Sequence, residues 1–279
     1  MTATTGFGEG RTGARLAELR AEGRAALVGY LPVGFPDVDR SIEAALAMVE
    51  AGADVVELGV PYTDPVMDGP TIQHAVEAAL EAGTRVADVF RVVSAVAATG
   101  VPVLVMTYWN PVLRYGVDRF AADLAAAGGA GLITPDLIPD EGAEWLAAAD
   151  AHGLDKVFLV APSSTVPRLA STAAASRGFV YAASTMGVTG ERTQVGPRAA
   201  ELVAATREAG AGHVCVGLGV STGEQAAQVA RFADGVIVGS ALVRPLLTDA
   251  PWAERLTALR AVTAELAAGV RGARAEVGA

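Results

Sequence analysis

The sequence is poor in residues on which many enzymes depend. Among 279 residues there is one cysteine, Cys215, so an internal disulfide is excluded and a reducing, cytoplasmic setting is expected. Lysine occurs once, at Lys156, and histidine three times, at His74, His152 and His213. No apolar run reaches the roughly 18 residues that would span a bilayer. The opening stretch, MTATTGFGEGRTGARLAEL, lacks the apolar core of a secretion signal. Basic charge is short as well: 21 Lys and Arg stand against 31 Asp and Glu, a net charge of −10. With no basic stripe or polybasic tail, neither nucleic acid nor a membrane surface is an expected partner.

What is present is a globular composition, 52% hydrophobic and 19% charged, in a chain long enough to bury a large core. Short β-rich runs recur: ALVGYL (26–31), ADVVELG (53–59), VPVLVMTY (101–108) and GAGLITP (129–135). KVFLVA (156–161), GFVYAAS (178–184), HVCVGLG (213–219) and DGVIVGS (234–240) follow. Alanine-rich segments with helical spacing separate them, several ending in glycine as helix C-termini commonly do. Eight strands alternating with helices predict a parallel sheet with right-handed crossovers, closed into a (β/α)8 barrel of one domain over 1–279. An open doubly wound sheet is the alternative. An extra helix near residues 12–22 is expected to cover the barrel's bottom, and helical structure is expected after Pro70.

In such barrels the chemistry lies at the C-terminal strand ends. Glu57 ends strand 2, and in VVELG it shares a face with Val55, so it should be desolvated and its pKa raised, which suits acid/base work. Asp64 and Asp68 lie on the next loop, each beside turn-forming residues. Glycine-rich ends after strands 6, 7 and 8 (STMGVTGERTQVG, GLGVSTG and GSALV) offer backbone N–H groups to an anion, and barrels often bind phosphate at the last two.

Two patterns mislead. GLGVSTG matches a nucleophile elbow centred on Ser221, but no histidine follows His213 to complete it. Its glycines at 217, 219 and 223 are also one residue too widely spaced for a dinucleotide fingerprint. Lys156 opens strand 5, at the wrong end for a Schiff base, and no histidine falls at a strand top to ligate a metal. Cofactor-free, metal-free acid/base chemistry by carboxylates on a phosphorylated substrate remains.

ELGVPYTDPVMDGPTIQ (57–73) closely resembles the signature of the tryptophan synthase α-subunit family, ELG-[IV]-P-[FY]-[ST]-DP-x-x-DGP-x-IQ. YLPVGFP, MTYWNPVLRYG, PDLIPDE, GVTGERT, GLGVS and GSALV follow in the family's order across nearly the whole chain. The resemblance implies cleavage of indole-3-glycerol phosphate to indole and glyceraldehyde 3-phosphate, a retro-aldol reaction without cofactor. It implies a β-subunit partner that holds pyridoxal phosphate, in an αββα heterotetramer. It also implies Glu57 as the principal acid/base and Asp68 as the partner of the indole nitrogen. Tyr181 matches the tyrosine near the glycerol phosphate, and Thr189 the threonine of a mobile loop that packs on Asp68. Gly190, Gly219, Gly239 and Ser240 match the phosphate cradle, and Tyr108 and Ile133 the wall of the indole pocket. Leu218, Met67 and the missing arginine in TMGVTG depart from the frequent pattern without removing a catalytic group. A barrel isomerase, a non-catalytic regulatory barrel and a lyase acting without a β subunit are the competing functions.

Overall fold

The computed structural model describes residues 9–183, 197–217 and 219–273. Eight parallel strands close into a barrel in sequence order: β1 (Ala26–Pro32), β2 (Val55–Gly59), β3 (Val103–Met106), β4 (Gly131–Thr134), β5 (Asp155–Val160), β6 (Val180–Ala183), β7 (Val214–Gly217) and β8 (Gly235–Val238). β8 pairs with β1, so no edge is left unpaired. The helices before β4 are α1 (Gly10–Ala21), α2 (Val38–Glu50), α3 (Pro70–Glu81), α4 (Val86–Ala97), α5 (Trp109–Tyr115) and α6 (Val117–Ala126). After it come α7 (Ala143–Ala151), α8 (Val166–Ala175), α9 (Pro197–Glu208), α10 (Gly223–Ala230), α11 (Ser240–Val243) and α12 (Trp252–Gly272). Among the described residues, no helix is long and apolar enough to cross a membrane.

The period-2 alternation of the strands splits the core in two. Val28, Val55, Leu104, Ile133, Val157, Cys215 and Ile237 point inward and fill the barrel. Val56, Leu58, Val103, Val105 and their equivalents point outward and bury the inner faces of the helices. Leu16 and Leu19 of α1 join the inner set with Phe179, so the expected N-terminal helix closes the barrel's floor.

Acids at the strand starts build that floor. Asp155 is fully buried and accepts from the Arg11 and Thr12 N–H groups and the Thr12 hydroxyl, so it serves α1 as a cap where Glu9 does not. Ala53-Asp54 and Ala233-Asp234 repeat one device. The N–H of Asp54 donates to the Leu27 carbonyl (2.8 Å) and its carboxylate accepts from the Leu27 N–H (3.0 Å). Asp234 makes the same two bonds with Val214, each 2.9 Å. An arginine neutralises each acid: Arg24 on Asp54 at 2.9 Å and Arg207 on Asp234 at 2.8 Å.

Beyond β2, the described strands stop short of the C-terminal ends of the apolar runs read for them. VPVLVMTY stops pairing after Met106, because Tyr108 takes the position before α5. The barrel's mouth is therefore made of loops.

Candidate active site

Glu57 lies at the end of β2, in register with Tyr30 of β1 and Leu104 of β3, on the inward side. It is 1% exposed, and its Oε2 has no hydrogen-bond partner among the described residues. Burial removes solvation from the charged form and pushes its pKa up to about 8. At neutral pH Glu57 is thus mainly a neutral acid, able to give a proton.

Asp68 sits on the loop after β2, half-buried. Tyr108 fixes this loop: its hydroxyl accepts from the Val66 and Met67 N–H groups (3.2 and 3.0 Å) and donates to Asp68 Oδ1 (3.3 Å). Gln73 Nε2 holds the Asp68 carbonyl at 2.7 Å, and Pro70 begins α3 directly after Gly69. Burial raises the pKa of Asp68, and the Tyr108 hydroxyl works against that rise by favouring the carboxylate. The Tyr62 ring packs on Tyr108 with centroids 5.3 Å apart, and Asn110 donates to the Tyr62 hydroxyl. Asp64 is exposed and accepts from the neighbouring Thr63 hydroxyl.

Tyr181 is half-buried on β6, its hydroxyl lying against Gly217 of β7, where any Cβ would collide with it. Tyr30 repeats this on the other side: its hydroxyl lies against Gly59 of β2, and its ring lies beside Gly239. Tyr30 stands within electrostatic reach of Asp68, Glu57, Tyr108 and Tyr181 together. The structure thus gathers Glu57, Asp68, Tyr108, Tyr181 and Gly239 at one mouth. Ile133 also points inward, but it is wholly buried in the inner core.

Of the expected phosphate cradle, Gly219 has φ +68, the left-handed region that glycine enters freely. Gly239 precedes the single turn of α11, whose first residue, Ser240, is buried. Thr189 and Gly190 lie outside the described residues, as does Leu218. Ser221 is no nucleophile: its hydroxyl and N–H both donate to Gln225, and Thr222 caps α10. Lys156 pairs with Asp150 at 2.7 Å beside the floor. No group of three or more His, Cys, Asp or Glu among the described residues is placed to hold a metal ion.

Tyr30 opens YLPVGFP and Gln73 closes the DGP signature, but the sequence alone assigns neither a role. Tyr30 becomes visible only when strand register sets it opposite Glu57.

Residues 16–271 match the family described as tryptophan synthase alpha chain. The alpha chain of Mycobacterium marinum is 61% identical over 267 residues, covering 94% of this chain and 97% of that protein. A structure of Mycobacterium tuberculosis tryptophan synthase superimposes with a TM-score of 0.88 at 61% identity, over 94% of this chain and 98% of that one. An aminoacrylate-bound form of the M. tuberculosis enzyme gives 0.86 at 58% identity, over 94% and 100%. With the carboxylate pair at the mouth of a closed barrel and this likeness along nearly the whole length, the chain belongs to the tryptophan synthase alpha chain family.

Proposed function

We propose that the chain cleaves indole-3-glycerol phosphate to indole and glyceraldehyde 3-phosphate without a cofactor of its own. The observation that carries this is the contrast between two nearby acids: Glu57, buried with a pKa near 8, and Asp68, half-buried and hydrogen-bonded by Tyr108. Two carboxyl groups in unlike environments divide acid and base roles. Neutral Glu57 gives its proton to indole C3, which becomes tetrahedral and leaves positive charge on the ring nitrogen. Ionised Asp68 stabilises that charge. Glu57, now a carboxylate, takes the proton of the glycerol hydroxyl on the carbon attached to C3. The C–C bond breaks, its electron pair returns to the ring, and an aldehyde is left. The proton cycle closes with Glu57 neutral again. Gly219, Gly239 and Ser240, with Gly190, would hold the phosphate, Tyr181 the glycerol phosphate, and Tyr108 and Ile133 the ring.

The proposal includes a β-subunit partner that holds pyridoxal phosphate, in an αββα assembly. Val66, Leu113, Ile138 and Val166 are exposed apolar residues that follow β2, β3, β4 and β5 in turn, an apolar rim along one side of the mouth. An aminoacrylate is an amino-acid fragment whose formation needs an electron sink, which carboxylates do not supply. A lyase acting alone has no use for such a rim. The test is steady-state indole release from indole-3-glycerol phosphate, with and without a β subunit. Slow turnover alone and a ~10- to 100-fold gain with the partner is the expected result; such a gain needs only ~1.4–2.7 kcal/mol of coupling. In the complex, Thr189→Val should cost more than in the free chain. Full-speed turnover by the isolated chain would remove the partner, and no indole in either case would remove the reaction.

A further inference from the structure

Tyr30 and Glu57 are opposite one another in the β1–β2 register, one step above the inward pair Val28 and Val55. Gly59, two residues beyond Glu57 on the same face, leaves the space that the Tyr30 hydroxyl fills; a Cβ there would collide with the hydroxyl oxygen. The ring is fixed from its other side by Gly239 and is almost wholly buried. The Tyr30 hydroxyl is therefore held against Gly59 at the end of β2, two residues beyond Glu57.

Glu57 needs something at that level. Its buried Oε2 has no partner among the described residues. That is tolerable for a neutral acid, but a buried carboxylate without a donor is costly. The reaction proposed above makes Glu57 a carboxylate once each turnover. The described titratable groups within electrostatic reach of it are Tyr30 from β1, Tyr181 from β6 and Cys215 from β7. Asp68 and Tyr108 reach Tyr30 from the loops after β2 and β3. Asp68 is an acid, Cys215 a weak donor, the Tyr108 hydroxyl is committed to Asp68, and the Tyr181 hydroxyl lies against Gly217 of β7, across the barrel from β2.

We infer that Tyr30 is a positioning residue for Glu57: the carboxylate that Glu57 becomes on giving up its proton turns to accept from the Tyr30 hydroxyl. Burial and the nearby acids hold the tyrosine pKa far above neutrality, so the hydroxyl stays a donor throughout. The inference rests on Glu57 being the reacting acid.

The experiment is carboxyl NMR of ¹³C-glutamate- and ¹³C-aspartate-labelled protein across pH, with Glu57→Gln and Asp68→Asn variants to assign the two signals. It reads the group directly, whether or not the protein turns over. Tyr30→Phe keeps the ring and removes the donor. The Glu57 midpoint should rise by about one pH unit or more, since one unit equals ~1.4 kcal/mol and a hydrogen bond to a charged group exceeds that. The falling alkaline limb of kcat should move up by the same amount, with KM little changed. Should Tyr30→Phe fold poorly, 3-fluorotyrosine at position 30, a stronger donor, should lower the midpoint instead. An unmoved Glu57 signal, or a shift confined to Asp68, overturns the inference. Failure of the parent protein to release indole overturns only the proposed reaction.

Discussion

Glu57 and Asp68 lie on one short stretch of chain, yet the fold gives them opposite surroundings: an inward strand position for the first, a loop tied down by Tyr108 for the second. Replacing Glu57 by Gln removes the proton but keeps the shape. Indole release should fall by about 10²- to 10⁴-fold or more, with no loss of folded protein. In the parent, kcat should decline as pH rises through about 8, because the proposed reaction starts from protonated Glu57. Asp68→Asn should be nearly inactive, whereas Asp64→Asn should leave the free chain within a few fold of normal, since Asp64 is exposed and bonded to its neighbour Thr63. Equal losses in the two variants, measured by steady-state indole release, would contradict the division of roles. The inward direction of Glu57 was legible in the alternation VVELG. Its facing residue was not: that Tyr30 meets Glu57 depends on the stagger between strands, which closure of the whole barrel determines and no single segment encodes.

Among the elements, the tightest crossing is α10 on α12. A Cβ on Gly269 would drive into the carbonyl of Gly223, and a Cβ on Gly223 would come within 2.7 Å of the Glu265 carbonyl. Glu265 also accepts from the Gly223 N–H at 3.0 Å, so α12 supplies a bond to the start of α10. Gly269→Ala should therefore destabilise by about 1–3 kcal/mol through forced separation of the helices. Gly272→Ala, with nothing near its Cβ site, should be neutral or slightly stabilising. Thermal melts of both variants check this; similar Tm values would contradict it. All eight strands and the floor helix were readable from alternating apolar runs and alanine-rich spacing. Several strand ends were overextended because buried side chains continue into the mouth loops, as at Thr107 and Tyr108. Short pieces such as α5, with Pro111 inside seven residues, are too brief to show a helical period.

For the molecule as a whole, the buried acid carries a cost that depends on pH. Below the ordinary glutamate pKa of 4.5, folded and unfolded chains both keep the proton on Glu57. Between there and about 8 the unfolded chain has released it while the folded chain retains it, so stability falls as pH rises; above about 8 the loss is complete. Glu57→Gln escapes this. Its Tm advantage over the parent should grow from about pH 5 to about pH 8 and then level off; a difference independent of pH would contradict the buried titration. The stability assay and the turnover assay thus report on one proton from opposite directions. The floor has a consequence of another kind. Among the described residues, Leu16, Leu19 and Phe179 stopper the barrel from below, so the buried acid is approached from the mouth. Whatever enters to react has to pass the mouth loops. A molecule seated on Val66, Leu113, Ile138 and Val166 would stand at that threshold.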